Sequence, residues 1–351
     1  MTGAAGRGGA TGHHDDGSPA GDDGEYEHLQ LTTLGGWRRF VTEMPAPPQL
    51  LAEPVWSSLD ADKQADYDDA RIEHHSRLLV VQTSTIRQVV NSGRRLTLLN
   101  KTAHYGRCGL IVSGPARTGK TTAITQLGKT IGVIHRRRHP RSGSDIPAVY
   151  ITVPPAATPK MIAMEFARFF GLPLSRRSNI TDVIESVCGV CLDARVGLVA
   201  VDELHNLNTA TRAGAEASDT LKYFSERIPA TFVYAGISLE RTGLLSGTRG
   251  EQIAGRFGMV RTGAFSQDEQ WTALIAALED SLRLHRHRSG TLTGWDGYLH
   301  QRTRGVIGSL LWLIRSAAIN AVVDATEKIT KKALDAVDVD LASQPVRPTG
   351  K

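Results

Sequence analysis

The stretch Ser113-Gly114-Pro115-Ala116-Arg117-Thr118-Gly119-Lys120-Thr121-Thr122 satisfies G-x-x-x-x-G-K-[ST], and its flanks decide how it is read. Before it, Cys108-Gly109-Leu110-Ile111-Val112 is a short apolar strand; after it, Ala123-Ile124-Thr125-Gln126-Leu127-Gly128-Lys129 reads as a helix. A strand, a glycine loop and a helix in that order make a phosphate cradle. Loop amides and the positive end of the helix point at the anion, and the glycines let the backbone approach without a Cβ in the way. Gly114 to Thr122 are therefore the expected phosphate-binding residues, with Lys120 on the β/γ-phosphate oxygens of ATP and Thr121 on Mg²⁺.

A second chemical stretch, Gly197-Leu198-Val199-Ala200-Val201-Asp202-Glu203-Leu204-His205-Asn206, supplies what a phosphate cradle lacks. Aliphatic residues ending in two acids read as a strand buried on both faces that delivers carboxylates at its C-terminal edge. Asp202 is expected in the Mg²⁺ shell, and Glu203 is expected to orient or deprotonate the water that attacks the γ-phosphate. Two further strands are expected at Ala148 to Val153 and Thr231 to Ser238, with Ser238 the candidate γ-phosphate sensor. Arg256, before a fifth strand from Gly258 to Thr262, is placed as an arginine finger toward a neighbouring subunit, with Arg249 or a plain surface arginine as the alternative.

Composition narrows the class. The chain has 351 residues, 40% of them hydrophobic and 22% charged, with three cysteines. It lacks the long apolar run of a membrane span and the charged start and apolar core of a leader, which implies a cytoplasmic protein without membrane contact. Cys188-Gly189-Val190-Cys191 is a lone CxxC, read as buried helix thiols rather than as zinc or redox chemistry. Net charge is +5, and residues 1–25 hold one Arg and five acids, which leaves the remainder at +9. The run His135-Arg136-Arg137-Arg138-His139-Pro140-Arg141 is expected in a loop between the first helix and the second strand, either solvated or touching DNA phosphates. Lys160, Arg168, Arg176 and Arg177 add to a positive face on the same two readings.

The boundaries follow composition. Residues 1–25, rich in Gly, Ala and Asp, form a disordered tail; 26–100 an arm with Pro45-Ala46-Pro47-Pro48 and a helical lead-in; 101–264 the nucleotide core; 265–341 a helical lid; 342–351 a frayed tail. In the lid the segment Arg304-Gly305-Val306-Ile307-Gly308-Ser309-Leu310 starts the helix where a second sensor arginine is expected; Gly308 and Ser309 stand there instead, leaving Arg304 or Arg315 as substitutes.

Trp37 with Phe40, Tyr67 with Arg71 and His74-His75, the phosphate loop, Asp-Glu-Leu-His-Asn-Leu, Ala-Gly-Ile, Gly-Arg-Phe and Gly-Val-Ile-Gly-Ser-Leu fall in an order that resembles the TniB family of AAA-type transposition ATPases, relatives of TnsC. The resemblance spans roughly Gln30 to Asp340. It implies an α/β P-loop NTPase of the AAA class, with a parallel sheet flanked by helices, a small C-terminal helical lid and an N-terminal helical extension. It further implies a homo-oligomeric ring or filament on duplex DNA, held by non-specific phosphate contacts, and recruitment of a DDE-type transposase together with a target-selection protein. By motif, Lys120, Thr121, Asp202 and Glu203 match, Arg256 matches the finger position, and the second sensor arginine has no match. Competing readings are a helicase-loader or initiator-like ATPase, for which no room is seen after Asp340 for a helix-turn-helix domain, a STAND-type signalling switch, disfavoured by the lack of repeats, and a P-loop small-molecule kinase, disfavoured by the acidic pair and the lid.

Overall fold

A computed structural model describes residues 30–173, 179–241 and 255–339. The expected tails at 1–25 and 342–351, with Arg176, Arg177 and Arg249, lie outside the described residues. Strands β1 (Gly109–Ser113), β2 (Ala148–Thr152), β3 (Leu198–Asp202), β4 (Thr231–Gly236) and β5 (Phe257–Arg261) form one parallel sheet in the order β2-β3-β4-β1-β5. All five C-terminal ends therefore share one edge. Pairing of Thr152 with Asp202 and of Ser113 with Gly236 sets the register there. Strands β1, β3 and β4 are buried along their whole length, as continuous aliphatic runs covered on both faces should be.

The helices are α1 (Leu34–Thr42), α2 (Glu53–Ser57), α3 (Ala61–Ser76) and α4 (Ser84–Asn100) before the sheet. Within it lie α5 (Lys120–Arg138), α6 (Pro159–Phe170), α7 (Ile180–Asp193) and α8 (Arg212–Arg227). After it come α9 (Glu269–Asp280), α10 (Asp296–Thr303), α11 (Ile307–Val323) and α12 (Lys331–Asp335). Helix α6 is bounded as its sequence suggests: Thr158 caps it by accepting from the Met161 amide, Pro159 opens it, and Gly171 closes it in the left-handed region at φ 66°. Among the described residues no single helix is long and apolar enough to cross a membrane.

The basic run departs from expectation. Helix α5 continues through Arg138, so His135 to Arg138 form its last turn and only His139 to Arg141 enter the loop. Cations at a helix C-terminus complement its partial negative charge, so a run of arginines there prolongs the helix where it was expected to end it.

Among the described residues two hydrophobic cores form, one around the sheet and one in the lid. The N-terminal extension belongs to both. Trp37 of α1 stacks on Tyr150 of β2 at 5.8 Å and sits over Gly128, where a Cβ would come within 2.6 Å of its ring. Ile86 and Val89 of α4 join the same core, whereas Ile72 of α3, with Leu79 and Val81, packs against the lid. The fully buried Arg71 of α3 fixes that second attachment. Its guanidinium donates to both Glu327 oxygens at 2.7 and 2.8 Å, to Asp68 at 2.6 Å and to the Arg283 carbonyl at 3.1 Å, with the Tyr67 ring 4.9 Å away. Burial pushes the Glu327 carboxyl up, but the hydrogen bonds from Arg71 and from the His285 amide, with the neighbouring positive charge, outweigh it and leave Glu327 below its ordinary value. Removing Glu327 leaves the buried Arg71 charge with Asp68 as its remaining carboxylate and its guanidinium without a partner for the two lost bonds. Glu327→Ala is expected to cost about 3–5 kcal/mol, read as a lowered denaturation midpoint, whereas an unchanged midpoint would show that the pair contributes nothing to holding extension and lid together.

Candidate active site

The phosphate loop leaves β1 at the C-terminal edge and turns into α5. Gly119 is left-handed at φ 86°, and a Cβ on Gly114 would lie 2.2 Å from the Thr262 carbonyl oxygen. Thr118 and Thr262 share a hydroxyl hydrogen bond of 2.5 Å, which pins the loop to the end of β5. The Lys120 ammonium, 8% exposed, donates to the Pro115 carbonyl at 2.5 Å. Burial lowers the Lys120 pKa, and the nearby Asp202 and Glu203 charges partly oppose that shift.

Asp202 ends β3 with its carboxylate turned toward α5. Thr121 Oγ1 donates to Asp202 Oδ2 at 2.6 Å, the Tyr150 hydroxyl donates to the same oxygen at 3.0 Å, and the Glu203 amide donates to Oδ1 at 2.8 Å. Residues separated by 81 positions thus meet at one point. A hydroxyl and a carboxylate oxygen are the hard donors Mg²⁺ accepts. Among the described residues no group of three or more His, Cys, Asp or Glu could hold a metal by itself, so the remaining ligands would be phosphate oxygens and water.

A cavity of about 470 Å³ lies over this edge, within the usual size of a small-molecule site. Its polar wall is the loop from Ala116 to Thr122 with Glu203; its apolar walls come from Leu78 to Val81, which cross between α3 and α4, and from Phe265, Ile307, Leu311 and Trp312. An apolar slot beside a phosphate cradle suits a base beside a triphosphate. Glu203 sits in the left-handed region at φ 56°, and Ile237, at the end of β4, lines the cavity just before Ser238 at φ 46°.

The lid docks directly on the loop. The Gly308 amide donates to the Arg117 carbonyl at 3.0 Å, and Arg117 Nη2 donates to the Gly308 carbonyl at 2.9 Å. A Cβ on Gly308 would lie 2.7 Å from the Arg117 Cβ. The contact leaves no space for a side chain where a second sensor arginine is expected. Of the two substitutes, Arg315 lines the cavity and donates from Nε to the His75 carbonyl at 3.0 Å, with its pKa lowered by burial. Arg304 is an exposed residue capping α10.

Other expected residues lie elsewhere. Arg256 precedes β5 and its carbonyl accepts from the Gly109 amide at 3.1 Å, which puts it at the N-terminal edge of the sheet. One strand length, roughly 17 Å for five residues, separates it from Lys120, so it does not serve the site of its own chain. Cys188 and Cys191 are buried on α7, where burial pushes both thiols up, consistent with inert core residues. Arg168 is paired with Glu165 at 2.9 Å. The contacts of Tyr150, Gly308 and His205 carry no signal in motif or periodicity, because each depends on a partner brought close only by folding.

The fold is that of an AAA-type P-loop domain, with the phosphate loop and the acidic residue Asp202 brought together at one edge of the parallel sheet. Residues 103–245 match the family described as AAA domain. No curated protein sequence matches the chain significantly. Among solved structures, the Aeropyrum pernix ORC2 protein in its ADP form is similar with a TM-score of 0.58 at 14% identity, over 78% of this chain and 74% of that one. The Aeropyrum pernix ORC1 protein in complex with DNA gives 0.53 at 15% identity, over 75% and 65%. Drosophila ORC bound to DNA gives 0.52 at 15%, over 85% and 71%. At these identities the likeness is one of fold.

Lys120→Ala removes the cation expected at the β/γ-phosphates and is expected to abolish binding of a fluorescent ATP analogue; an unchanged affinity would remove the site assignment. Gly308→Val should force the lid from the loop and weaken that affinity about tenfold, the equivalent of a 1–3 kcal/mol overpacking cost.

Proposed function

We propose that the chain binds ATP with Mg²⁺, hydrolyses it, and works as a cytoplasmic homo-oligomer on duplex DNA that regulates transposition. The observation that carries the nucleotide reading is the Thr121–Asp202 bond beside Lys120 and Glu203 in one cavity. In this reading the loop amides and Lys120 hold the β/γ-phosphates, and exchange of the Pro115 carbonyl for a phosphate oxygen reorients the ammonium. Thr121 and Asp202 hold Mg²⁺, which would neutralise charge on the β- and γ-oxygens when bound. Glu203 orients the attacking water, Ser238, two residues past β4 and not part of the cavity wall, is the candidate sensor that would turn to the γ-phosphate, and Arg315 supplies charge from the lid. The exposed Arg256, remote from its own cavity, serves as the arginine finger of a neighbouring subunit.

The DNA reading is supported by charge that folding gathers. Arg38 donates to the Gly143 carbonyl at 3.3 Å, and Asp145 binds His135 at 2.8 Å and Arg195 at 3.6 Å. These interactions bring α1, the end of α5 and the turn before β3 together, with Arg136 beside Arg38 in one groove and Arg137 and Arg138 exposed on the same last turn of α5. Guanidinium groups at such density suit phosphates. Recruitment of a DDE-type transposase, with a target-selection protein, rests on the TniB resemblance. An initiator-like ATPase is the second reading, favoured by the ORC-like fold across three quarters of the chain or more.

Glu203→Gln should bind ATP normally, lose turnover by about 10²–10⁴-fold as for loss of a general base, and lock assemblies visible by electron microscopy as rings or filaments on duplex DNA. Wild-type turnover would overturn the role of Glu203. DNA affinity should fall with salt along a log-log line, and Arg136→Gln with Arg137→Gln and Arg138→Gln should flatten the slope by about 0.9 for each phosphate left unneutralised. An absent or salt-independent interaction would remove the DNA reading.

A further inference from the structure

His205 joins two strand ends through one atom. Its Nδ1 accepts from the Ile237 amide at 3.3 Å and lies 3.3 Å from Oε2 of Glu203. Ile237 follows β4 and Glu203 follows β3, and both line the nucleotide cavity. The surroundings hold the imidazole in place. Residues Leu204–Asn206 form a short 3-10 turn, anchored where Asn206 Nδ2 donates to the Val153 carbonyl at 2.8 Å beyond the end of β2. Gly236 lies so close that a Cβ there would stand 3.0 Å from the His205 amide nitrogen. The ring is about three-quarters buried, with its side chain 24% exposed, whereas the Glu203 side chain is 44% exposed.

Nδ1 cannot satisfy both neighbours. With a lone pair it accepts from Ile237 and offers the carboxylate no hydrogen; with a hydrogen it donates to Glu203 and leaves the Ile237 amide without its acceptor. The end of β4 and the carboxylate are competing claims on a single nitrogen. We infer that His205 is a positioning residue for Glu203: by accepting the Ile237 amide it ties the end of β4 to the turn that carries the carboxylate, and that tie holds Glu203 toward water at the γ-phosphate of a nucleoside triphosphate. Any displacement of the β4 end frees Nδ1 and thereby changes how Glu203 is held. The inference rests on the proposed hydrolysis of ATP at this site.

The test uses the full chain and separates affinity from turnover. His205→Phe keeps a flat ring, somewhat larger, and deletes Nδ1; His205→Asn places a carbonyl acceptor near the same point. His205→Phe is expected to lower kcat about tenfold, a fraction of a general base's contribution, with the Kd for a non-hydrolysable ATP analogue changed less than about twofold. His205→Asn is expected to restore most of the lost turnover. Wild-type kcat in His205→Phe, a Kd that weakens in step with kcat, or an Asn variant no better than Phe would each overturn the assignment. If Glu203→Gln abolishes turnover while His205→Phe is indifferent, only the role of His205 falls; if the wild-type protein binds ATP and hydrolyses none, the hydrolysis reading falls and takes this inference with it.

Discussion

The Asp202 carboxylate, 2% exposed, needs donors around it, and that need organises the nucleotide edge. A buried charge without hydrogen bonds is prohibitively costly, and here the donors come from three places in the chain: Thr121 on α5, Tyr150 on β2 and the Glu203 amide. Strand order makes the meeting possible. With β4 between β1 and β3, the loop after β1 crosses one strand to reach the acid. Tyr150, already held by Asp202, is stacked under Trp37, so the first helix of the extension is coupled to the site through two side chains.

That coupling makes the extension part of the nucleotide domain rather than an appendage. Helices α1 and α4 pack on the sheet core, and α3 packs on the lid through Arg71 and Glu327. Residues 77–83 connect α3 to α4, and the stretch from Leu78 to Val81 forms a wall of the cavity. The buried bidentate pair fixes α3 to the lid, so the stretch from Leu78 to Val81 bridges the lid side and the sheet side of the cavity.

The strands, the phosphate loop and the acidic pair are legible in the sequence because each is local: an apolar run of about five residues bounded by glycine or acid has few readings. The buried CxxC and the capped helix from Pro159 to Phe170 are legible for the same reason. The end of α5 is not, since a proline-terminated basic run reads as a loop until the favourable field of the helix terminus is counted. The division of the extension is beyond reach, because Arg71 and Glu327 lie 256 residues apart; Arg71 stands out only as part of a resemblance, and nothing in the sequence marks Glu327 as its partner. Glu203 reads from its motif as a residue facing the phosphates and does line the cavity, yet its neighbour His205 stands out only as part of a resemblance, since its significance lies in an amide from another strand.

Gly308 shows how an apparent gap in a motif can be a contact. A position that lacks an expected arginine reads as a missing function, but any side chain there would collide with Arg117 of the phosphate loop. The lid instead meets the loop through paired hydrogen bonds with Arg117, a residue inside the phosphate cradle held at φ 62°. Any rearrangement of the cradle on binding a triphosphate therefore reaches the lid through Gly308 main-chain groups, whose hydrogen bonds do not depend on a side chain of their own. Arg315, two helical turns further along α11, then supplies charge from the lid side. Docking and charge are divided between two residues, so the lid meets the loop through the Gly308 main chain, paired with the backbone and the guanidinium of Arg117, while its own cation lines the cavity from a separate turn of the same helix.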